Sequence, residues 1–235
     1  MLIGHKKISI VQNFICTKGL RLKVLRENLP KMGSVFEDYS FYVNYNTKTN
    51  LDTIKSLYED NIKNLHFENN VEKNWGKITL NLITQTTTPF ILYLTEDFVY
   101  HGNTQDWDNI IKECFIDNKV EHLFLSKIQK YLPKNSYSLD SSFRPYVRPE
   151  HRYKEKQYIF TWLAKNSPMK TFSTVAIHNK VKLIEILTQY LTRHTHKSPN
   201  QFESVHQNLR SMGDMICAVP KKIIIEQKHL EGCVE

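Results

Sequence analysis

The sequence predicts an α/β domain with a mostly parallel central sheet flanked by helices. Three observations predict it. Residues 7–94 alternate between short apolar, β-branched or aromatic runs and longer segments with helical periodicity, and such alternation calls for right-handed crossovers between parallel strands. The run Phe90–Leu94 (FILYL) is apolar at every position, which suits a strand covered on both faces rather than one wetted on one side. The chain has 235 residues, 40% hydrophobic and 11% aromatic, enough to bury one core of ordinary density.

The first strand is read over Lys7–Phe14, with Ile8, Ile10 and Gln12 on one face and Ser9 and Val11 on the other. A helix from Thr17 or Lys18 to Leu29 follows; Leu20, Val24 and Leu25 share a side, and Pro30 marks its end. Tyr39–Tyr45 is aromatic and β-branched, a second strand. Leu51–Ile62 is helical, with Leu51, Ile54, Leu57, Tyr58 and Asn61 on successive turns, and Leu65–Glu68 is a short third strand. Trp75–Thr86 is a helix with Ile78, Leu82 and Ile83 on its apolar face; Pro89 breaks it, and Phe90–Leu94 is the central strand.

The second half is less regular. Trp107–Ile116 reads as a helix capped by Thr104 or Asp106, and Val120–Leu125 as a strand. Tyr131–Arg152, rich in Ser, Pro and Tyr, reads as a long loop of the kind that often carries function. Gln157–Ala164 and Thr171–Ile177 are short strands or irregular structure. Val181–Thr192 is a helix with Asn179 as its cap and Val181, Ile184, Leu187 and Leu191 on one stripe. Phe202–Met212 is read as a further helix, and Ala218–Glu226 contains a run of three isoleucines. Neither a repeat nor a linker interrupts the chain, so 1–235 is read as one domain.

Composition narrows the function classes. Lys plus Arg is 32 and Asp plus Glu 24, a net +8. Residues 1–117 hold 13 basic and 14 acidic side chains, −1; residues 118–235 hold 19 and 10, +9. No apolar run approaches the 18 residues of a membrane span, and the alternating polar and apolar residues of Met1–Ile10 argue against a signal peptide. Cys16, Cys114, Cys217 and Cys233 form no C-x-x-C pair, which speaks against a zinc knuckle or disulfide framework and for a reducing compartment. Neither G-x-G-x-x-G nor G-x-x-x-x-G-K-[ST] occurs, so the glycine-rich phosphate cradles of dinucleotide-binding and P-loop proteins are missing.

Open parallel sheets bind ligands beyond the carboxyl ends of their strands. That rule selects Gln12-Asn13, Asn44–Asn46, Asn69-Asn70 and Thr95-Glu96-Asp97. The last is the most informative. Adjacent carboxylates at the end of the most buried strand repel each other and lose water, and a hard divalent cation relieves both effects. The alternative is a helix-capping or solvated acidic turn.

Asn74-Trp75-Gly76-Lys77-Ile78-Thr79-Leu80-Asn81 and Thr88-Pro89-Phe90-Ile91-Leu92-Tyr93-Leu94-Thr95-Glu96-Asp97-Phe98 resemble the nucleotide-sugar half of a GT-A glycosyltransferase. In that family an Asn-x-Gly turn opens a helix, and a strand of the form P-[FY]-I-L-Y-L-E-D-D-W ends in the metal-binding acids. The resemblance implies a single Rossmann-like GT-A domain, 1–103 binding the nucleotide sugar and 104–235 the acceptor. It implies Asp97 as the ligand of Mn²⁺ or Mg²⁺, and Glu96 as the acid facing the donor ribose or sugar; Thr95 stands where the family has an acid. Asn44 and Asn46 stand where an acid often reads the base or ribose. More weakly, Phe172-Ser173-Thr174 and Phe202-Glu203 resemble acceptor-side segments, and the ending around His229 resembles a closing strand whose His ligates the metal or touches the diphosphate.

The implied activity is sugar transfer from a nucleoside diphosphate to a hydroxyl, metal-assisted, in glycan, glycolipid or polysaccharide synthesis. The donor side is Asn13, Asn44, Trp75, Lys77 and Glu96, with Trp75 either stacking near the donor or serving as a helix-start core aromatic. Glu203 is the first choice of base for an inverting reaction, with Asp140 and Glu150 as rivals. The basic second half favours an anionic acceptor or an anionic membrane surface, and the expected location is cytoplasmic or peripheral to a membrane. Two other classes compete. Arg144, Arg148, Arg152, Lys154 and Lys156, interleaved with Tyr and Phe, would suit single-stranded nucleic acid, although no RRM, KH or helix-turn-helix signature is present. A catalytically silent sugar-nucleotide-binding domain is the third.

Overall fold

The computed structural model describes residues 7–16, 19–71, 74–94, 96–101, 107–117, 119–125, 143–144, 158–163, 175–193, 215–220 and 224–227. Among these, β1 (Ile8–Phe14), α1 (Gly19–Val35), β2 (Phe41–Tyr45), α2 (Leu51–Asn61), β3 (Leu65–Glu68), α3 (Trp75–Gln85) and β4 (Phe90–Leu94) follow the predicted alternation. Then come β5 (Phe98–Tyr100), α4 (Trp107–Ile111) running into a π-helical turn at Lys112–Asp117, β6 (His122–Phe124), β7 (Phe143–Arg144) and β8 (Tyr158–Leu163). The last elements are β9 (Ala176–Asn179), α5 (Lys180–Arg193), β10 (Met215–Pro220) and β11 (Ile225–Gln227).

The result is an α/β, Rossmann-like domain. Nine strands form one sheet in the order β3-β2-β1-β4-β9-β6-β10-β8-β7, and β5 and β11 form a separate antiparallel pair. Pairings β3-β2, β2-β1 and β1-β4 are parallel. The second half joins through β9, antiparallel to both β4 and β6. No helix among the described residues is long and apolar enough to cross a membrane.

The alternation in β1 sorts the two sides of the sheet. Ile8, Ile10 and Phe14 enter a core built with Leu25, Leu29 and Met32 of α1 and Ile54 and Tyr58 of α2. Val11 enters a second core with Ile91 and Tyr93, covered by Trp75, Ile78, Leu82 and Ile83 of α3 and Leu183, Ile186 and Leu187 of α5. Gln12 and Asn13 repeat the split with polar groups. The Tyr58 hydroxyl donates to Gln12 Oε1 at 2.6 Å on the first side, and Asn13 faces α3 on the other. Burial pushes the Tyr58 phenol well above its usual range, so it remains a donor.

Several sequence readings need correction. The first helix does not end at Leu29 but runs through Pro30 to Val35. Proline inside a helix costs about 3 kcal/mol or more, and burial of Leu25, Leu29 and Met32, all fully buried, offsets it at about 1.5–3 kcal/mol per large apolar side chain. Leu20 is 58% exposed and outside that stripe. In α5 the expected Leu187 is buried with Leu183 and Ile186, and Ile184 and Leu191 pack at the edge of that core, but Val181 is 76% exposed. Both errors have one cause: periodicity gives the spacing of a face but not which of two overlapping faces meets the sheet. The segment Trp107–Ile116 changes from α to π winding at Lys112, and β5 was not anticipated. Part of the expected long loop, Phe143–Arg144, is a strand paired with β8. The Asn179 cap is as expected: its Oδ1 accepts from the Lys182 amide at 3.2 Å. The helix expected at Phe202–Met212 lies outside the described residues.

At the centre of the sheet β6 and β9 set His122 opposite His178. Their Nδ1 atoms are 3.1 Å apart, so one ring must carry the proton that the other accepts. Both are buried, and burial pushes His178 down from 6.5 to about 3. The unfolded chain therefore takes up a proton that the folded chain refuses. This contribution is complete above about pH 6.5 and is lost as pH falls toward 3. The midpoint of urea unfolding is expected to fall across that window, and His178→Asn, which keeps a polar group near the Nδ1 position, should flatten the slope. A separate expectation concerns the contact of α1 with α2. A Cβ at Gly33 would lie 2.0 Å from the Asn61 carbonyl oxygen. Gly33→Ala should cost about 1–3 kcal/mol by denaturant titration, despite alanine's better helix propensity.

Candidate functional site

The carboxyl ends of β1, β2, β3 and β4 lie side by side, and each delivers polar residues. Strand register sets Asn13 opposite Asn44, and Asn44 opposite Glu68. Asn13 and Asn44 are buried and must satisfy their amides within the protein. Asn13 Nδ2 donates to the Trp75 carbonyl at 3.2 Å and to Thr79 Oγ1 at 3.0 Å. Asn44 Nδ2 donates to Asn13 Oδ1 at 3.0 Å and to the Asn70 carbonyl at 3.2 Å, and its Oδ1 accepts from the Asn70 amide at 2.8 Å. Asn69 Nδ2 donates to the Thr47 carbonyl at 2.9 Å. Together these amides tie the ends of β1 and β2, the turn after β3 and the start of α3 into one polar floor.

Helix α3 begins over this floor. Asn74 is its N-cap, with Oδ1 accepting from the Lys77 amide at 3.1 Å. Trp75 is buried in the second core, packed with Tyr42 and the α3 and α5 leucines. Of its two sequence readings, that is the helix-start core aromatic. Lys77 is exposed on the first turn of the helix. Gly76 lets α5 come close: a Cβ there would lie 3.1 Å from Leu191 Cδ2.

The acids follow β4. Glu96 is 8% exposed and Asp97 5%. Burying a carboxylate is expensive without a partner. Glu96 Oε1 accepts from Nη1 of Arg21, on the first turn of α1, in an ion pair that joins residues 75 positions apart. The Nε of Arg21 is buried with no hydrogen-bond partner. Sequence reading missed Arg21. The only available signal was a basic residue three positions into the helix that leaves the carboxyl end of strand 1.

A hard divalent cation needs several oxygen ligands. Thr95 is not an acid, the Glu96 carboxylate is engaged by a guanidinium, and among the described residues no group of three or more His, Cys, Asp or Glu is placed to hold a metal. With Glu96 engaged by Arg21, the described residues therefore offer no pair of uncommitted carboxylates after β4 for a Mn²⁺ or Mg²⁺ ion. The second metal ligand expected from sequence, His229, and the expected bases Glu203 and Asp140, with Glu150, lie outside the described residues. What the described residues do bring together is an amide floor, a guanidinium held by one acid, and a second buried acid, all at the edge where parallel sheets bind ligands.

No protein-family model and no curated protein sequence matches the chain. Solved structures do share its fold. TarS 1–349 from S. aureus in complex with UDP-GlcNAc superposes with a TM-score of 0.60 at 13% identity, covering 97% of this chain and 60% of that one. TarS 1–349 alone gives 0.57 at 12% identity, covering 95% and 60%. The complex with UDP gives 0.55 at 12%, covering 94% and 60%. The chain thus spans about 60% of the length of these structures.

The amide floor makes a measurable claim. Asn44→Ala leaves the Asn70 amide and Asn13 Oδ1 without their partner, and should cost about 1–3 kcal/mol for each group left unsatisfied. In a double-mutant cycle with Asn13→Ala, the two losses should be clearly non-additive, because each substitution removes the same Asn13–Asn44 bond.

Proposed function

We propose that the chain is the nucleotide-sugar-binding and transferring domain of a GT-A-type glycosyltransferase. One observation carries the reading: two buried acids follow β4, one of them paired with an arginine from α1, in a fold shared with a protein solved with UDP-GlcNAc. A nucleoside diphosphate sugar presents the chemistry this edge can meet. Its phosphates call for a cation with directed N–H groups, and its ribose and sugar hydroxyls call for buried acceptors such as a carboxylate. In this reading Glu96 and Asp97 are the donor-side acids, Lys77 adds positive charge at the start of α3, and Asn13, Asn44 and Trp75 hold the floor and the helix start beneath the donor.

The transfer forms a bond from an acceptor hydroxyl oxygen to the anomeric carbon and breaks the bond from that carbon to the diphosphate oxygen. The nucleoside diphosphate leaves with the electron pair, and the hydroxyl proton passes to a base. Positive groups near the departing oxygens lower the barrier because charge develops there. Glu203, with Asp140 and Glu150 as rivals, is proposed as the base for an inverting reaction. The +9 of residues 118–235 supports an anionic acceptor, whether glycan or lipid-linked. No step of this reading runs through a metal.

A thermal-shift and hydrolysis screen across UDP, GDP and dTDP sugars tests the proposal. A nucleotide at about 100 times its dissociation constant adds about 2.7 kcal/mol of stability, which for a chain of this size raises Tm by roughly 5–10 °C. Asp97→Asn should lower donor turnover by about 10²-fold or more while the protein remains folded. Absence of a shift with every nucleotide, together with salt-sensitive binding to single-stranded oligonucleotides, would replace this reading with the nucleic-acid one.

A further inference from the structure

We infer that Arg21 supplies the positive charge for the donor diphosphate that a divalent metal ion would otherwise supply, with Glu96 as the residue that positions it. The inference rests on the nucleotide-sugar reading above and goes beyond it by naming the cation and removing the metal requirement.

Arg21 lies on the first turn of α1, the helix that leaves the carboxyl end of β1, and so reaches the same edge as the acids after β4. Its Nη1 donates to Glu96 Oε1, which anchors one end of the guanidinium. The side chain is 23% exposed, and since its Nε–H is buried the part open to a ligand is the rest of the side chain. A phosphate oxygen is an acceptor of the right charge, and a guanidinium meets phosphate through paired, directed N–H groups. A helix N-terminus on the same side adds to the attraction for an anion.

The charge balance points the same way. Three acids after β4 would carry −3 and attract a divalent ion. Here the triplet is Thr95-Glu96-Asp97, −2, and the Arg21 partner of Glu96 brings the set to −1. A metal ion would have to compete with a fixed guanidinium for Glu96 and then sit beside it, cation against cation. The same guanidinium attracts the diphosphate without help.

Calorimetric titration of the full chain with UDP, in EDTA and again in excess Mn²⁺, tests this. Wild-type protein is expected to bind in EDTA, with affinity changed less than about threefold by Mn²⁺. Arg21→Gln should weaken binding in EDTA by about 10–100-fold, the range for a hydrogen bond to a charged group. Mn²⁺ should then recover part of the loss, because Glu96 is released to join Asp97. Arg21→Lys, which keeps the charge without the fork, should fall between the two. Binding by the wild type that needs Mn²⁺, or an Arg21→Gln variant that binds as the wild type does, overturns the inference and leaves the nucleotide-sugar reading standing. If UDP, GDP and dTDP all fail to bind wild-type protein under both conditions, that reading falls and takes the inference with it. Circular dichroism checks that the variant is folded; if it is not, the wild-type comparison in EDTA against Mn²⁺ decides the matter alone.

Discussion

The parallel pairing of β1 with β2 on one side and β4 on the other is the constraint on which the rest of the molecule depends. β1 is buried at every one of its seven positions, so both its faces must be covered and both its edges paired. Two helices on each side provide the cover. The polar residues at its end, Gln12 and Asn13, have to find partners inside the protein. They find them on opposite sides, Gln12 in the Tyr58 hydroxyl of α2 and Asn13 in the start of α3. The strand that organises both cores thus also fixes where α2 and α3 sit.

The cost of burying polar groups shapes the candidate site as much as any ligand would. The side chains of Asn13, Asn44 and Asn69 do not stand out from the sheet as recognition groups. They bind one another and the backbone, including that of Asn70, and by doing so they hold the strand ends and the α3 N-terminus in fixed relation. Such a floor can present a ligand surface without each of its amides touching the ligand. The acids after β4 meet the same penalty differently. Glu96 takes a counter-ion from α1, and that choice converts an acidic turn into a mixed-charge one.

This alters what the overall charge means. The near-neutral first half carries both the buried acids after β4 and the cation that pairs with one of them. In the proposed function, the excess of +9 in residues 118–235 is then available for the acceptor. β9 joins the halves. It lies antiparallel between β4 and β6, and makes one continuous sheet from strands of both, with the buried His122–His178 pair at the seam.

Most of the first 94 residues could be read from the sequence, because each element there is announced locally. Alternation marks the strands, 3.6-residue spacing marks the helices, and Asn74 and Asn179 mark helix starts by their ability to accept backbone N–H bonds. The sequence by itself determined the α/β class, the order of the first seven elements and the edge of the sheet where Glu96 and Asp97 emerge. Tertiary structure alone decided that α1 continues through Pro30, that Leu20 and Val181 face solvent, that β9 runs antiparallel and that Arg21 holds Glu96. Each of these is an exchange between groups far apart in the chain, in which burial or charge pairing outweighs a local preference. No window of neighbouring residues contains both partners of such an exchange.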